Sequence, residues 1–436
     1  MPAQTRQSHT DAFLRDADPI LAAAQPLLVP LRTQLQAVDP AALLARVCWS
    51  GICEPGDRAA GALIASLGPE AIFPLLAGHD GVVVEALSEY QLHDEHDWPA
   101  AFARWRPRLH PERIYAALRN AAQVNATVVV PGDVAWPKGL DALGESQPHA
   151  LWVRGQLAAL AGCEQSVAIV GARAASNYGV ETTADLTAGL SDQRCTIVSG
   201  GAYGIDAAAH RTAIASDAPT VAVLAGGVDR LYPAAHRGLF TQIIGSGAVI
   251  SELIVGQAPE RWRFIQRNRI IAALAAVTVV VEAGRRSGAL HTARSALEIG
   301  RAVGAVPGPI HSAASAGCHQ LIRDGLAQLV TGTDDIMQLW RESTGLGWCS
   351  PELQLDIDEP PATSQRSDYA RLATAHSDAA RRIYDALRPR SAKPPEALAA
   401  HAGMSMNEVR AALVELEMGG LAVPCDTGWR RGEQRH

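Results

Sequence analysis

A regular series of short apolar runs in the middle of the chain constrains the fold more than any other feature. Successive runs are rich in Val, Ile and Ala and begin 24 to 29 residues apart. They are VAIV at 167, TIVS at 196, TVAVLA at 220, AVIS at 248, VTVVVEA at 277, AVGAVPG at 302 and LVTG at 329. Ala-, Leu- and Arg-rich stretches of helical character fill several of the gaps. The alternation predicts an α/β fold with a doubly wound, mostly parallel sheet and helices on both faces.

The segments on either side of these runs predict smaller units. Residues 40–80 form three or four short helices broken by Gly and Pro, and 127–143 form a strand and turn. Residues 342–376 lack periodicity and predict a linker. Beyond it, Ser405 and Glu408 have the spacing of a capping box at the start of a helix, and LAVPCDTGWRR could be a two-stranded wing. Helix, helix and hairpin together predict a winged helix.

Composition bounds the environment and the partners. The seven cysteines are odd in number and scattered, without a paired C-x-x-C pattern, so we expect a reduced, cytoplasmic protein. The longest apolar run, Ile270–Val281, is shorter than the ~20 residues of a membrane span, and no signal peptide is predicted, so we expect no membrane association. The net charge of −7 argues weakly against a nucleic-acid partner. Within 165–335, however, 14 Arg stand against 13 acidic residues, so the surplus acid lies elsewhere.

The loop after the first run, VAIVGARAASNYG, predicts an anion site. Gly171 and Arg173 precede Ser176, a predicted helix N-cap, so backbone N–H groups, the helix dipole and a guanidinium would face a phosphate. A tight turn with a surface arginine explains the same residues equally well. The loop is neither a phosphate-binding P-loop nor the dinucleotide fingerprint, and no cofactor is expected.

Two further loops have related chemistry. In IVSGGAYGIDAAAH, the residues Gly200, Gly201 and Gly204 would let a ligand approach the backbone, with Asp206 as a cap of the next helix. A glycine-rich turn required for helix–sheet packing is the alternative. Arginines are also dense in RWRFIQRNRII and in EAGRRSGAL, where Ser287 is a plausible cap. Three or four helix N-termini that could bind anions lie along one edge of the predicted sheet. A nucleic-acid strand, with a phosphate at each nucleotide, could use all of them, whereas a single nucleotide would use one or two.

Catalytic patterns are not found. The chain has no G-x-S-x-G, no H-E-x-x-H and no supported Cys/His pair. His93 to His96 could hold a metal at i,i+3, but a solvated acidic loop explains this stretch better, and we predict no metal site. The protein is therefore predicted not to be an enzyme.

Taken together, the motifs resemble the bacterial DNA-processing DprA/Smf family, a branch of the lysine-decarboxylase-like Rossmann proteins. The stretches that carry the resemblance occur in family order over 167–325. They are VAIVGARAASNYG, VSGGAYGIDAAAH, VAVLAGGVDRLYP, GAVISE, FIQRNRIIAALA, VVVEAGRRSGALHTARSALEIGRAVGAVPG and GCHQLIRDG. The resemblance implies an extended Rossmann-like sheet domain flanked by a SAM-like helical domain and a winged helix. The predicted boundaries are 1–38 for an N-terminal extension, 39–95 for the SAM-like domain, 100–338 for the sheet domain, 342–376 for the linker and 377–436 for the winged helix.

The same resemblance implies a function. It implies single-stranded DNA binding without strong sequence preference, protection of incoming DNA, handover to RecA during natural transformation, and a homodimer. The implied or inferred DNA-binding positions are Gly171, Arg173, Ser176, Gly200, Gly201, Tyr203, Gly204, Arg267, Asn268, Arg269, Arg286 and Ser287. Tyr203 departs from the family, which usually has Lys or Arg there, and could stack on a base instead.

Two alternatives remain open. A nucleotide phosphoribohydrolase of the same fold group would carry a Pro-Gly-Gly-x-Gly-Thr-x-x-Glu signature, which EAGRRSGALHTARSALE lacks. A transcription regulator would read duplex DNA through the winged helix. The presumed recognition helix, Ser405 to Met418, has one Arg against three Glu, which would be repelled by phosphates, so we expect a partner-binding or regulatory module.

Overall fold

The computed structural model describes residues 13–14, 17–32, 38–89, 96–344, 377–389, 391–425 and 427–432. They form two compact units. One contains helices from the N-terminal part of the chain together with the C-terminal domain, and the other contains a nine-stranded sheet. The domain boundaries given above remain predictions, and most of the predicted linker lies outside the described residues.

The N-terminal part of the chain is helical. Its α-helices are Asp18–Leu28 (α1), Pro40–Ile52 (α2), Arg58–Leu67 (α3), Ile72–Ala77 (α4), Asp80–Glu89 (α5), Trp98–Trp105 (α6) and Pro111–Gln123 (α7). Short 3-10 helices cover Val29–Leu31, Pro69–Ala71 and Arg106–Arg108. Arg32 belongs to the sheet unit, where it forms a bidentate ion pair with Asp133 at 2.6 and 2.7 Å.

Every apolar run that the sequence singles out forms a strand of one sheet. The strands are Thr127–Val129 (β1), Leu151–Gly155 (β2), Ser166–Val170 (β3), Thr196–Ser199 (β4), Thr220–Val223 (β5), Ala248–Ser251 (β6), Val277–Val280 (β7), Ala302–Ala305 (β8) and Gln328–Leu329 (β9). Their order is β1-β2-β6-β5-β4-β3-β7-β8-β9. Pairing is parallel from β6 to β9, and the β1–β2 and β2–β6 pairs are antiparallel. The predicted doubly wound, mostly parallel sheet is confirmed.

Helices cover both faces of the sheet. Alternate residues of each strand point to opposite faces, so each strand contributes apolar side chains to two cores. The helices of this unit are Ala158–Ala161 (α8), Asn177–Asp192 (α9), Ile205–Ala215 (α10), Arg237–Ser246 (α11), Arg261–Leu274 (α12), Gly288–Glu298 (α13), Ala316–Arg323 (α14) and Thr333–Thr344 (α15). In β3, Ala168 and Val170 belong to the core that α12 and α13 cover, whereas Val167 and Ile169 belong to the core under α9, α10 and α15. Short 3-10 helices cover Lys138–Ser146, Gly162–Gln165 and Ala234–His236.

The strand order places a topological switch point within the sheet, where the direction of strand addition reverses. From β3 the chain adds β4, β5 and β6 in one direction, and then returns to add β7, β8 and β9 on the other side of β3. The order therefore reverses between β3 and β7, and ligands of open α/β sheets bind outside the carboxyl ends of the strands at such a reversal.

The C-terminal domain is a winged helix, as predicted. It consists of Asp378–Ala386 (α16), Pro395–Ala402 (α17), Met406–Met418 (α18) and the antiparallel wing Ala422–Cys425 (β10) with Gly428–Arg431 (β11). The capping box is formed: the Ser405 hydroxyl accepts from the Glu408 amide, and the Glu408 carboxylate accepts from the Ser405 amide. Across the described residues, no single helix is long and apolar enough to cross a bilayer, although the bent pair Arg58–Leu67 and Pro69–Ala77 passes together by length and composition.

Candidate nucleic-acid interface

The loop after β3 is fastened to the loop after β7. Ser176 caps α9 by accepting from the Gly179 amide at 3.1 Å, which confirms the predicted cap. Its hydroxyl donates to Glu282 at 2.5 Å, and its amide donates to the other oxygen of the same carboxylate at 2.9 Å. The Ser176 amide that was expected to face a phosphate is therefore occupied by Glu282, which is buried and needs these donors. Gly171 permits the close approach of β3 to α10, since a Cβ there would lie 2.5 Å from Ile205 Cγ1.

The glycine-rich loop after β4 is held by Asp206. The carboxylate of Asp206 accepts from the amides of Gly200 and Ala202 at 3.2 and 3.3 Å. The expected role of Asp206 as the helix cap is wrong, because it lies within the first turn of α10 and the cap position is Gly204. Burial raises the pKa of Asp206, while Arg267 and the two loop amides oppose the shift.

Gly204 is required by its backbone conformation and by its neighbours. Its φ is +75°, and a Cβ would lie 2.2 Å from the carbonyl oxygen of Ala172. The loops after β3 and β4 are thus packed backbone against backbone. The same close packing explains the glycines of this loop without a ligand, so their proposed DNA contacts stay predictions.

Arg267 lies beneath the glycine-rich loop. One terminal nitrogen donates to the carbonyls of Gly200, at 2.9 Å, and Val223, and its Nε donates to Asn268 Oδ1 at 3.3 Å. It is 6% exposed, and burial lowers its pKa to about 10 against the opposing effect of Asp206. Arg267 therefore joins the carboxyl ends of β4 and β5.

Arg269 and Asn268 also have protein partners. The guanidinium of Arg269 forms two bonds of 2.6 Å to the carboxylate of Glu252 and donates to the carbonyls of Ser146 and Gln266. Asn268 donates to the carbonyl of Gly288 at 3.3 Å. Both residues are 8% exposed, so these two side chains of the arginine-dense stretch RWRFIQRNRII are largely enclosed. In this arrangement Arg267, Asn268 and Arg269 position the surrounding loops, and their direct contact with DNA stays a prediction.

Exposed cations and aromatic rings surround this buried framework. Arg173 is exposed, and its guanidinium carbon lies 5.7 Å from the centroid of the Phe264 ring. Tyr232 is 53% exposed and contacts the same ring at 5.7 Å. Tyr203 is 46% exposed and meets the ring of His236 at 4.6 Å. We call the exposed Arg173, Tyr203 and Tyr232, together with the half-buried Phe264 and the buried His236 that they contact, the aromatic edge.

The predicted residues Arg286 and Ser287 lie in the loop after β7, at the same edge of the sheet. Ser287 caps α13 by accepting from the Ala289 amide at 3.3 Å, as predicted. Arg285 and Arg286 are exposed in the loop that precedes this cap. Loops from the carboxyl ends of β3, β4, β5 and β7 therefore present cations and rings along one edge, which includes the sequence-predicted residues of the loops after β3, β4 and β7.

Sequence reasoning missed Tyr232 and Phe264 as site residues. Both occur in the quoted motifs VAVLAGGVDRLYP and FIQRNRIIAALA, where an aromatic residue lies within three residues of an arginine. That interleaving was the available signal. Among the described residues no three His, Cys, Asp or Glu side chains cluster to hold a metal. His93 to Glu95, weighed above as metal ligands, lie outside the described residues.

The chain is similar to known proteins. The family described as DNA recombination-mediator protein A matches residues 127–341, and the DprA winged helix domain matches 360–426. A Mycobacterium tuberculosis protein named for DNA processing protein DprA is 42% identical over 313 residues, which cover 70% of this chain and 76% of the relative. Protein Smf of Escherichia coli is 35% identical over 285 residues, which cover 65% of this chain and 72% of the relative.

A solved structure agrees with these sequence relatives. The crystal structure of DNA processing protein A from Streptococcus pneumoniae superposes with a TM-score of 0.52 at 30% identity, covering 68% of this chain and 97% of that one. The sheet with its switch point, the motifs at its carboxyl edge, the winged helix and these relatives lead to one conclusion. The chain belongs to the DprA/Smf family of DNA-processing proteins.

Proposed function

We propose that this protein binds single-stranded DNA along the aromatic edge and delivers it to a RecA-type recombinase during natural transformation. The observation that carries the proposal is the geometry of the edge. Arg173 and Tyr232, both exposed, lie against the same Phe264 ring, and the exposed ring of Tyr203 belongs to the neighbouring loop, above a buried framework. Single-strand binders combine these two elements, cations for the backbone and aromatic faces for the bases.

The division of labour follows from exposure. Arg173 is exposed, whereas the Ser176 amide in the same loop already donates to Glu282. In this loop the guanidinium of Arg173 therefore supplies the charge that binds a phosphate. Tyr203 and Tyr232 present ring faces that any base can stack on, which gives affinity without sequence preference. Because the rings belong to loops held by Asp206 and Arg267, little ordering of these loops is required on binding.

A salt titration of oligonucleotide binding tests the proposal. For single strands the logarithm of affinity falls with the logarithm of salt concentration by about 0.7 for each phosphate contact. We expect Arg173→Ala to reduce this slope by about 0.7 and Tyr203→Ala to weaken binding by roughly 5- to 150-fold with the slope unchanged. The readout is fluorescence anisotropy of a labelled thymine oligonucleotide.

Arg194→Ala is the matched control. Arg194 is an exposed arginine two residues before β4, so it lies at the amino edge of the sheet, opposite the proposed site. Its removal takes away the same charge and should leave both affinity and slope as in the wild type. Equal losses in Arg194→Ala and Arg173→Ala would mean that DNA follows net charge rather than this edge.

The proposed delivery of DNA to RecA rests on membership of the family. It adds two partners, the recombinase and a second copy of this chain. We propose that the protein acts as a homodimer in the cytoplasm, without catalysis of its own. Assembly of RecA on oligonucleotide coated with a single-strand-binding protein should be faster when this protein is added, and sedimentation should give twice the 46.0 kDa chain mass. A monomer in sedimentation, or unchanged RecA assembly, would remove the corresponding part of the proposal.

A further inference from the structure

Arg108 joins two parts of the chain that are almost three hundred residues apart. It ends the 3-10 helix Arg106–Arg108 and is 4% exposed. Its Nε donates to the carbonyl of Ala400 at 2.6 Å, and one terminal nitrogen donates to the carbonyl of His401 at 2.9 Å. Both carbonyls lie in the last turn of α17, the helix that precedes the presumed recognition helix of the winged-helix domain.

The remaining donors of Arg108 are directed to the N-terminal helices of the same compact unit, residues 40–115, which we call the helical domain. The same terminal nitrogen bonds to Glu54 at 2.6 Å, and the other donates to the carbonyl of Ile52, the last residue of α2, at 3.1 Å. The guanidinium thus serves the carbonyl ends of two helices from different domains. Helix C-termini have unpaired carbonyls and a negative dipole end, so a buried cation is well placed there.

The winged-helix domain is shaped to receive this contact. Gly403 follows α17 in the left-handed conformation, with φ +64°. A Cβ at this position would lie 2.5 Å from Glu54 Cγ and 3.0 Å from the guanidinium carbon of Arg108. The turn between α17 and α18 therefore presses directly against the ion pair, whose two side chains are 3% and 8% exposed.

We propose that Arg108 and Glu54 form an intramolecular docking site for the winged-helix domain, which recognises the C-terminal end of α17 and the glycine turn after it. Docking makes the two ends of the chain one body and fixes the acidic helix α18 on its surface. It accounts for a buried arginine that DNA binding at the aromatic edge does not use.

A cysteine trap in the full chain tests the docking. The Cβ position of residue 403 lies 2.5 Å from Glu54 Cγ, so paired cysteines at 54 and 403 would have Cβ atoms within about 4 Å, the separation of a disulfide. Replacing Glu54 by Cys also removes the atom that a side chain at 403 would meet first, while Arg108 keeps its bonds to the carbonyls of Ala400 and His401. We expect E54C/G403C to form this bond on mild oxidation, as mapped by mass spectrometry of peptides, at least about tenfold faster than E54C/G420C. A rate equal to that of the control pair, or a bond found only between two copies, would overturn the proposal.

A second pair of variants keeps all docking residues except the glycine. Gly403→Asn inserts a side chain into the contact, whereas Gly420→Asn is the matched control, with φ +68° and no atom within 4 Å of its Cβ position. Asn tolerates the left-handed conformation at both sites. Loss of docking removes support from the winged helix, so hydrogen exchange of the buried α18 amides should accelerate roughly tenfold in Gly403→Asn relative to Gly420→Asn. Equal exchange in the two variants would refute docking through this turn.

Arginine variants test the contact from the helical domain, which supplies Arg108, rather than from the winged-helix domain, which supplies Gly403. Arg108→Ala should accelerate exchange in α18 as Gly403→Asn does. Arg106→Ala should not, because Arg106 is exposed and pairs with Asp80 at 2.8 Å within the helical domain. Acceleration by both arginine variants alike would assign the effect to the helical domain's own stability and contradict a docking role for Arg108.

Discussion

Replacing Arg269 separates a positioning role from a DNA-contacting role. Its guanidinium makes a bidentate pair with Glu252, and both side chains are about nine-tenths buried. Removing one partner of such a pair leaves an uncompensated buried charge, which costs about 3–5 kcal/mol. We therefore expect Arg269→Met to lower the free energy of unfolding by that amount. For a domain of this size, about 2–4 °C of Tm per kcal/mol corresponds to a fall of roughly 6–20 °C.

The paired variant E252M/R269M supplies the decisive comparison. Replacing a buried pair by apolar side chains of similar volume is often neutral or stabilising by about 1–4 kcal/mol, so thermal denaturation should recover most of the lost stability. If Arg269 only positions loops, the double variant binds a thymine oligonucleotide with the wild-type salt slope. A slope reduced by about 0.7 in a stable double variant would show that Arg269 contacts phosphate and would refute the positioning role.

Three further predictions address pH, the family departure at Tyr203 and the packed loops. Burial, with the charges of His236 and Arg267, lowers the pKa of His210 from 6.5 to about 3, so the contribution of neutral His210 to stability is complete above pH 6.5 and is lost as pH falls toward 3. Between pH 7 and 5, the unfolding free energy of the wild type should therefore fall by about 2 kcal/mol relative to that of His210→Gln in denaturant titrations. The same pH dependence of the unfolding free energy in both proteins would contradict this. Tyr203→Lys should steepen the salt slope by about 0.7 and bind less well than wild type in high salt; an unchanged slope would place position 203 away from phosphate. Gly204→Ala brings a Cβ to 2.2 Å from the carbonyl oxygen of Ala172 and should weaken oligonucleotide binding and lower Tm, whereas wild-type values for both would show that the two loops need not pack so closely.

The strands were readable because each is short, apolar and bounded by glycine or polar residues. Ser176, Ser287 and Ser405 were readable as caps because a cap depends on residues within one turn of the helix. Both kinds of signal are local, and the structure confirms them. The switch point between β3 and β7 then follows from the strand order, which brings the motif loops to one edge.

Hydrogen-bond and ion-pair partners that lie far apart in the sequence could not be predicted from such local signals. Helix α12 has buried residues on nearly all sides, so nothing in RWRFIQRNRII distinguishes the enclosed Arg267 and Arg269 from solvated arginines. The burial of Arg269 depends on Glu252, on a different element, and Arg108 depends on carbonyls at the other end of the chain. Asp206 resembled a cap because the sequence does not show which amides its carboxylate reaches.

Photo-crosslinking with a 5-bromodeoxyuridine oligonucleotide tests the DNA site most directly, since it maps contacts on the unmodified protein. The account predicts that crosslinked peptides contain Tyr203, Tyr232 or Phe264, whose rings line the carboxyl edge of the sheet, and that unlabelled single strands compete for them. Crosslinks that fall instead on the winged helix, or on the amino edge around Arg194, would contradict it.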